Sequence, residues 1–209
     1  MHIPDGFLDT KTLFITNTVS YLTFFYSGRK ILKKIEAERV PILGLSTAFI
    51  FLISSISFPL PFGTSIHLLG SFFISLILGP FSAFFINFLS LFLQSLLLSH
   101  GGILTLGANS INIAFSSCIL GFYFYKFLIR ILPNFENFII FIITIFTAFI
   151  GSFLLTLELN FSGKISFQKS FLPIISFHLV SGSFEGLFTV FLINFIKKLK
   201  PKLLEVEKI

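Results

Sequence analysis

The sequence has few charged residues for its length. Only 11% of its 209 residues are Asp, Glu, Lys or Arg, whereas 55% are hydrophobic, and the mean hydropathy is +0.97. An ordinary soluble domain carries about a quarter charged residues, so these side chains cannot cover the surface of a water-soluble globule. The shortage of charge excludes a soluble enzyme, a disordered tail and a nucleic-acid-binding module.

Several kinds of chemistry are missing from the sequence as well. Cys118 is the only cysteine, which excludes an internal disulfide and a paired-cysteine zinc or redox site. There is no HExxH, no G-x-S-x-G and no P-loop. The sequence therefore predicts no enzyme and no catalytic cofactor, and an ATP-driven process would need a separate ATPase subunit.

Long apolar segments are what the chain has in abundance. A membrane-spanning helix needs about 20 apolar residues, and proline, glycine and lysine clusters divide this chain into seven candidates. They are 12–28, 41–58, 64–78, 81–99, 109–132, 137–157 and 171–196. The predicted fold is an all-α polytopic membrane helical bundle of about seven transmembrane helices.

The basic residues predict how this bundle is oriented. If the amino terminus lies outside, twelve of the 15 Lys and Arg residues fall on the inside, in the cluster 29–39, at Lys126 and Arg130, and in the tail from 197. The sequence therefore predicts the amino terminus outside and the carboxyl terminus inside. A signal peptide opens with basic residues, and the start MHIPDGFLDT does not, so we expect the amino terminus to be retained.

Polar side chains recur at helical spacing inside the predicted spans, where they are costly and usually face the bundle interior. The amides and the hydroxyl are Asn87, Ser90, Gln94, Asn109 and Asn112. Hydrogen bonds between helices are the favoured explanation for these residues. His178 and Glu185 lie seven residues apart on one face of the last helix. For Glu185, a supporting role and a direct transport role both remain open.

The four histidines gather at one side of the predicted membrane. They are His2, His67, His100 and His178. One membrane histidine alone is more often a hydrogen-bonded structural residue than a ligand, but four at the outer face favour a metal site loaded from outside. No two of them stand at i and i+4, so a hydrolytic zinc helix is unsupported.

The first two residues offer a chelate of their own. The Met1 amine, the Met1–His2 peptide nitrogen and the His2 imidazole can bind one ion in fused small rings. One more imidazole would complete a plane of four nitrogens, a geometry typical of Ni(II) or Cu(II). Many chains begin Met-His by chance, so the dipeptide alone does not decide between a metal site and an ordinary amino terminus.

Four segments carry a resemblance to a known family. They are MHIPDGFL at 1–8, FPLPFGTSIHLLGSFFISLILGP at 58–80, SHGGILTLGANSIN at 99–112 and, more weakly, HLVSGSFEGLFT at 178–189. These segments resemble the CbiM/NikM family, the substrate-capture subunits of energy-coupling-factor transporters for cobalt and nickel. They cover about a third of the chain and are spread over most of its length.

The resemblance implies a division of the chain and a set of ligands. It implies one transmembrane domain, 1–209, whose parts are a metal-binding segment 1–10, an added first helix 11–34, a six-helix core 41–196 and a basic cytoplasmic tail 197–209. The implied ligands of a transported Ni²⁺ or Co²⁺ ion are Met1, His2 and His67. Residues expected to support them are His100, Asn109, His178 and Glu185. Phe62 and Ile66 replace the family's usual glycines.

The resemblance also implies partners in the membrane. These are a CbiQ-like transmembrane coupling subunit, two ABC-type ATPase subunits and a small CbiN/NikN-like accessory subunit. Gly44 and Ala48 form a small-xxx-small pair that permits close helix contact, either within the bundle or against the coupling subunit. The same four nitrogens serve nickel and cobalt in the family, so the sequence does not choose between them.

Three alternatives to this function remain at this point. One is a capture subunit for a different small substrate. Another is a membrane enzyme that uses His67, His100 and His178 on an apolar substrate. The last is a scaffold subunit without a ligand, which predicts that changes at Met1 and His2 have no effect.

Overall fold

The chain folds almost entirely into helices that pack around the amino-terminal segment. The computed structural model describes residues 1–33, 40–60, 62 and 64–199. Its α-helices are α1 (Thr10–Leu32), α2 (Val40–Ser55), α3 (Ser71–Leu78), α4 (Pro80–Leu97), α5 (Leu106–Ser110), α6 (Phe122–Ile131), α7 (Glu136–Phe161) and α8 (Phe167–Leu199). A π-helical stretch, Ile111–Gly121, joins α5 to α6 in one continuous rod.

Four helical rods in the described part of the chain are long and apolar enough to cross a membrane. They are Pro80–Leu97, Leu106–Ile131, Pro133–Phe161 and Phe167–Leu199. Helix α2 is apolar but has only 16 residues. Helix α3 has eight residues, which span about 12 Å of a hydrocarbon layer about 30 Å thick. The prediction of a transmembrane helix over 64–78 is therefore wrong.

A β-hairpin stands where the sequence predicted the end of one helix and the start of the next. Strands β1 (Ser57–Leu60) and β2 (Thr64–His67) pair antiparallel, with Ser57 opposite His67. Helix α2 stops at Ser55 rather than at residue 58 because Pro59 and Pro61 lack the N–H that a helix needs. The all-α prediction is wrong for this one element.

The hairpin turn contains an unusual backbone angle. Phe62 has φ of +69°, in the left-handed region that glycine adopts without strain and that other residues rarely enter. The sequence singled out Phe62 as a residue in place of a glycine. The turn therefore holds a phenylalanine in a backbone conformation that favours glycine.

Asn87, Gln94 and Asn112 make the predicted hydrogen bonds between helices, whereas the Ser90 hydroxyl is buried without a partner among the described residues. The Ser71 hydroxyl donates to Asn87 Oδ1 at 2.6 Å, and Gln94 Nε2 donates to the Ser54 hydroxyl at 2.7 Å. Asn112 Nδ2 donates to Glu158 Oε2 at 2.6 Å, which joins the π-helix to α7. These bonds satisfy buried groups that lipid could not.

The structure describes only part of the basic segments on which the predicted orientation depends. Lys34 and Arg39 of the basic cluster, and the tail from 200 to 209, lie outside the described residues. Near the end of α8, Lys197 forms an ion pair with Glu136 at the start of α7. The orientation predicted from these charges stays a prediction.

The small-residue pair of α2 faces away from the rest of the bundle. Gly44 and Ala48 are both exposed, and a Cβ placed on Gly44 would meet no atom within 4 Å among the described residues. The described structure therefore does not use the pair for internal packing.

Candidate metal centre

The amino-terminal segment enters the bundle rather than lying on it. Nine residues precede α1, and the first three are among the most buried of the chain, with Met1 2%, His2 3% and Ile3 1% exposed. Burying a backbone segment is favourable only when its polar groups find partners. The contacts of this segment therefore show what holds it in place.

Asn109 pairs with both backbone groups of Ile3. The Ile3 N–H donates to Asn109 Oδ1 at 2.7 Å, and Asn109 Nδ2 donates to the Ile3 carbonyl at 3.0 Å. The Thr105 hydroxyl donates to the same carbonyl at 2.6 Å. Asn109 was predicted to support the ligands, and it binds the residue that follows His2. Thr105 was not predicted.

Asp5 fixes the segment to the start of helix α5. Its carboxylate accepts hydrogen bonds from the N–H groups of Ile103 (3.2 Å), Leu104 (2.9 Å) and Thr105 (3.1 Å). These N–H groups lie in the turn just before α5, and successive free N–H groups in a turn form a favourable site for a carboxylate. A Cβ on Gly102 would lie 1.9 Å from Asp5 Oδ1, so this approach requires glycine.

Strand β2 supplies the opposite wall of the site. Alternate residues of a strand point to the same face, so Ser65 and His67 both face the amino terminus. The Met1 amine donates a hydrogen bond to the Ser65 carbonyl. Burial lowers the pKa of this amine to about 4, because the charged form loses its hydration. The amine is therefore neutral at pH 7, and its lone pair is free to bind an ion.

Three imidazoles gather around this amine. The ring centroid of His2 lies 4.5 Å from that of His67 and 4.1 Å from that of His100, and the His67 and His100 centroids are 5.9 Å apart. Burial, and then the charges of the neighbouring groups, lower the pKa of each of the three rings. Neutral imidazole is the form that binds metal ions.

Several nitrogens of this cluster have no protein partner. His2 Nδ1, His2 Nε2 and His67 Nε2 are buried without a hydrogen-bond partner among the described residues. His67 Nδ1 lies 3.2 Å from the Leu68 carbonyl, which accepts only if Nδ1 carries the proton. The lone pair of His67 is then on Nε2. Buried polar atoms are normally paired, so these nitrogens are suited to an ion.

Glu185 holds the backbone that follows His67. Its two carboxylate oxygens accept hydrogen bonds from the N–H groups of Leu69 (3.0 Å) and Gly70 (2.9 Å), and the carboxylate is buried. This bond joins the middle of α8 to the loop that carries His67 and to the start of α3. The arrangement matches the supporting role that the sequence left open for Glu185.

His178 is separate from this cluster of three rings. Its Nδ1 lies 2.7 Å from the Ile174 carbonyl one turn earlier in α8, and its Nε2 is buried without a partner in the described part of the chain. Helix α8 packs against β2, so His178 lies behind the strand of His67. Of the four histidines that were predicted to lie together, His2, His67 and His100 form a cluster of rings, and His178 lies outside it.

Within the described ranges, no group of three or more His, Cys, Asp or Glu side chains is arranged to hold a metal ion. Nitrogens of the main chain and the amino terminus are further donors available at this position. The neutral Met1 amine and the orphaned nitrogens of His2 and His67 supply a set of nitrogen donors.

Ser65 is the residue of this site that sequence reasoning missed most clearly. Its carbonyl accepts from the Met1 amine, and its hydroxyl lies 3.3 Å from His100 Nε2. Its position two residues before His67 would have indicated a shared face if the segment had been assigned to a strand. Because the sequence predicted a helix over 64–78, the shared face of Ser65 and His67 was not recognised.

Comparison with known proteins gives a consistent result. The profile of the family described as "Cobalt uptake substrate-specific transmembrane region" matches residues 2–203. The chain is 30% identical to "Cobalt transport protein CbiM" of Carboxydothermus hydrogenoformans, over 100% of this chain and 88% of that protein. It is 30% identical to "Putative fused nickel transport protein NikMN" of Archaeoglobus fulgidus, over 98% and 68% of the two chains.

A further relative matches over a shorter stretch, and a solved structure has a similar fold. The match to "Putative metal transport protein MJ1569" of Methanocaldococcus jannaschii has 35% identity and spans 61% of this chain and 58% of that protein. A crystal structure described as a transition metal transporter superposes with a TM-score of 0.89, at 26% identity over 95% and 93% of the two chains. Together with the four membrane-length helices, these matches establish a multi-pass membrane protein.

Proposed function

Because the chain belongs to the CbiM family of cobalt-uptake transmembrane proteins, we propose that it is the capture subunit of a transporter for Ni²⁺ or Co²⁺. The observation that supports this function is the buried, neutral amino terminus beside the orphaned nitrogens of His2 and His67. The ion binds from the outside and is delivered inward. The protein binds and releases the ion without an enzymatic reaction of its own.

The proposed ligands are four nitrogens. They are the Met1 amine, the Met1–His2 peptide nitrogen, one imidazole nitrogen of His2 and Nε2 of His67. The ion displaces the peptide proton, which leaves to solvent, and the chelate then closes around it. A planar nitrogen set of this kind suits d⁸ Ni²⁺, and the relatives' names include both cobalt and nickel transport.

The surrounding residues hold these ligands in position. Asn109 fixes Ile3 and thereby the chelating dipeptide, while Glu185 fixes the backbone next to His67. His178 supports β2 from α8. Such outer partners typically change metal affinity by about 10- to 100-fold when they are removed.

Release of the ion requires partner subunits. We infer a CbiQ-like coupling subunit and two ABC-type ATPase subunits from the family. Three relatives are named as fused NikMN or LarMN proteins, which supports a CbiN/NikN-like accessory subunit. The exposed face with Gly44 and Ala48 offers the coupling subunit a place where two helices can approach closely.

Calorimetric titration of the purified chain tests the proposed function. We expect one Co²⁺ or Ni²⁺ ion to bind per chain, and Mg²⁺ and Ca²⁺ not to compete, because the donors are nitrogens and these hard ions prefer oxygen. A scaffold subunit or a histidine-dependent enzyme would not require a tightly bound metal. Failure to bind either transition metal would contradict the proposal.

Two substitutions at Glu185 test how it contributes. Glu185→Ala leaves the buried N–H groups of Leu69 and Gly70 unpaired, each at a cost of about 1–3 kcal/mol, so we expect lower thermal stability and about 10- to 100-fold weaker Co²⁺ binding. Glu185→Gln keeps one acceptor oxygen and leaves one N–H unpaired, so we expect an intermediate loss of both stability and affinity. If Glu185→Gln loses as much Co²⁺ affinity as Glu185→Ala while it keeps the higher melting temperature, the negative charge itself contributes to binding, and a purely supporting role is rejected.

A further inference from the structure

His100 is the imidazole of the cluster that solvent can reach. His2 and His67 are buried at 3% and 7% exposure, whereas His100 is half-buried. The backbone turn after it brings it over His2, since Gly101 has φ of +77° and a Cβ there would lie 3.3 Å from the His2 ring. An ion that approaches His2 from solvent therefore meets His100 first.

The spacing of the rings separates His100 from His67. Two imidazoles that bind one ion at right angles, with about 2.0 Å between metal and nitrogen, have centroids about 4.5 Å apart. The His2–His67 and His2–His100 distances of 4.5 and 4.1 Å both fit such a pair, whereas the His67–His100 distance of 5.9 Å is closer to the roughly 6.3 Å between two imidazoles on opposite sides of one ion. An ion held by His2 can thus have either neighbour beside it.

The proposed final site leaves no in-plane position for His100. The peptide nitrogen is the middle donor of the Met1–His2 chelate, so the fourth donor, His67, lies opposite to it. The positions on either side belong to the amine and to the His2 imidazole. A third imidazole opposite His67 would compete with the peptide nitrogen.

Ser65 connects His100 to the amino terminus. The Ser65 hydroxyl lies 3.3 Å from His100 Nε2, and the Ser65 carbonyl accepts from the Met1 amine. A hydroxyl that accepts from Nε2–H leaves the lone pair of His100 on Nδ1. A second hydrogen bond of this kind commonly fixes the tautomer of a metal-binding histidine.

We propose that His100 is a transit ligand, which binds the ion with His2 on its way in and is released when the final site closes. This inference rests on the proposed function. The His100–metal bond forms as one water leaves the hydrated ion. It breaks when the peptide nitrogen, having lost its proton to solvent, takes its place. His100 therefore lowers the barrier to metal exchange without belonging to the final complex.

Stopped-flow measurement of Co²⁺ binding to the purified chain tests this inference. A ligand present only in transit accelerates binding and release by the same factor, since both directions cross one barrier. We expect His100→Ala to slow both association and dissociation about tenfold, which corresponds to one barrier increment of about 1.4 kcal/mol, and to leave Kd unchanged. Lys164→Ala, an exposed change at the same end, should leave both rates as they are.

Other roles for His100 predict different rates of metal exchange. If His100 only blocks the path, the smaller alanine makes exchange faster. If His100 belongs to the final site or only supports it, Kd rises and dissociation accelerates. Either result overturns the inference, as does an equal slowing in Lys164→Ala. A wild-type chain that binds no Co²⁺ contradicts the proposed function instead, so the two failures are distinguishable.

Discussion

Adding one residue before Met1 is expected to abolish binding of Co²⁺ and Ni²⁺. The added residue converts the amine into a peptide nitrogen and removes the first donor of the chelate. It also has to fit where Met1 is 2% exposed and where the amine contacts the Ser65 carbonyl. We expect affinity to fall by at least about 100-fold, the upper end of what loss of an outer partner costs, as measured by titration calorimetry.

The control for this experiment adds the same residue after Ile209, far along the chain from the chelate. That variant should bind metal as the unmodified chain does. Circular dichroism of both variants should show the same helix content, because the helices do not depend on the amine. Intact mass must show that Met1 is present and unblocked in the parent. Unchanged affinity in the amino-terminal variant would disprove the proposed ligand set.

The sequence allowed a prediction of the centre of the site because that part depends on local chemistry. Met1 and His2 are adjacent in the chain, so their chelate could be deduced without knowing the fold. The family resemblance then added His67 as the fourth donor. The structure brings the His2 and His67 rings to 4.5 Å, and the ligand set itself stays a proposal.

The partners of the supporting residues could not be predicted because these contacts join distant parts of the chain. Asp5 binds N–H groups about 100 residues away, and Glu185 binds the backbone of Leu69 and Gly70. Neither contact has a spacing rule in sequence. The hairpin was missed for a different reason, since a short apolar run between prolines fits a strand or a helix equally well.

His67→Ala is expected to weaken metal binding severely while the chain stays folded. The substitution removes Nε2, a buried nitrogen without a partner among the described residues, so the protein loses a proposed metal donor. Its only hydrogen bond in the described structure is from Nδ1 to the adjacent Leu68 carbonyl. We expect Kd for Co²⁺ to rise by at least about 100-fold, beyond the range for loss of an outer partner, with a modest change in melting temperature.

His178→Ala is the matched control, since it removes a second buried imidazole with an orphaned Nε2 and a neighbouring carbonyl partner. Both variants delete the same imidazole atoms from a buried position, so a loss of binding caused by packing alone would be similar in the two. A ligand role for His67 and a supporting role for His178 predict a much smaller loss in His178→Ala. Equal losses, or a larger loss in His178→Ala, would reject His67 as the fourth donor. The ratio of the two affinities therefore separates coordination by His67 from packing around it.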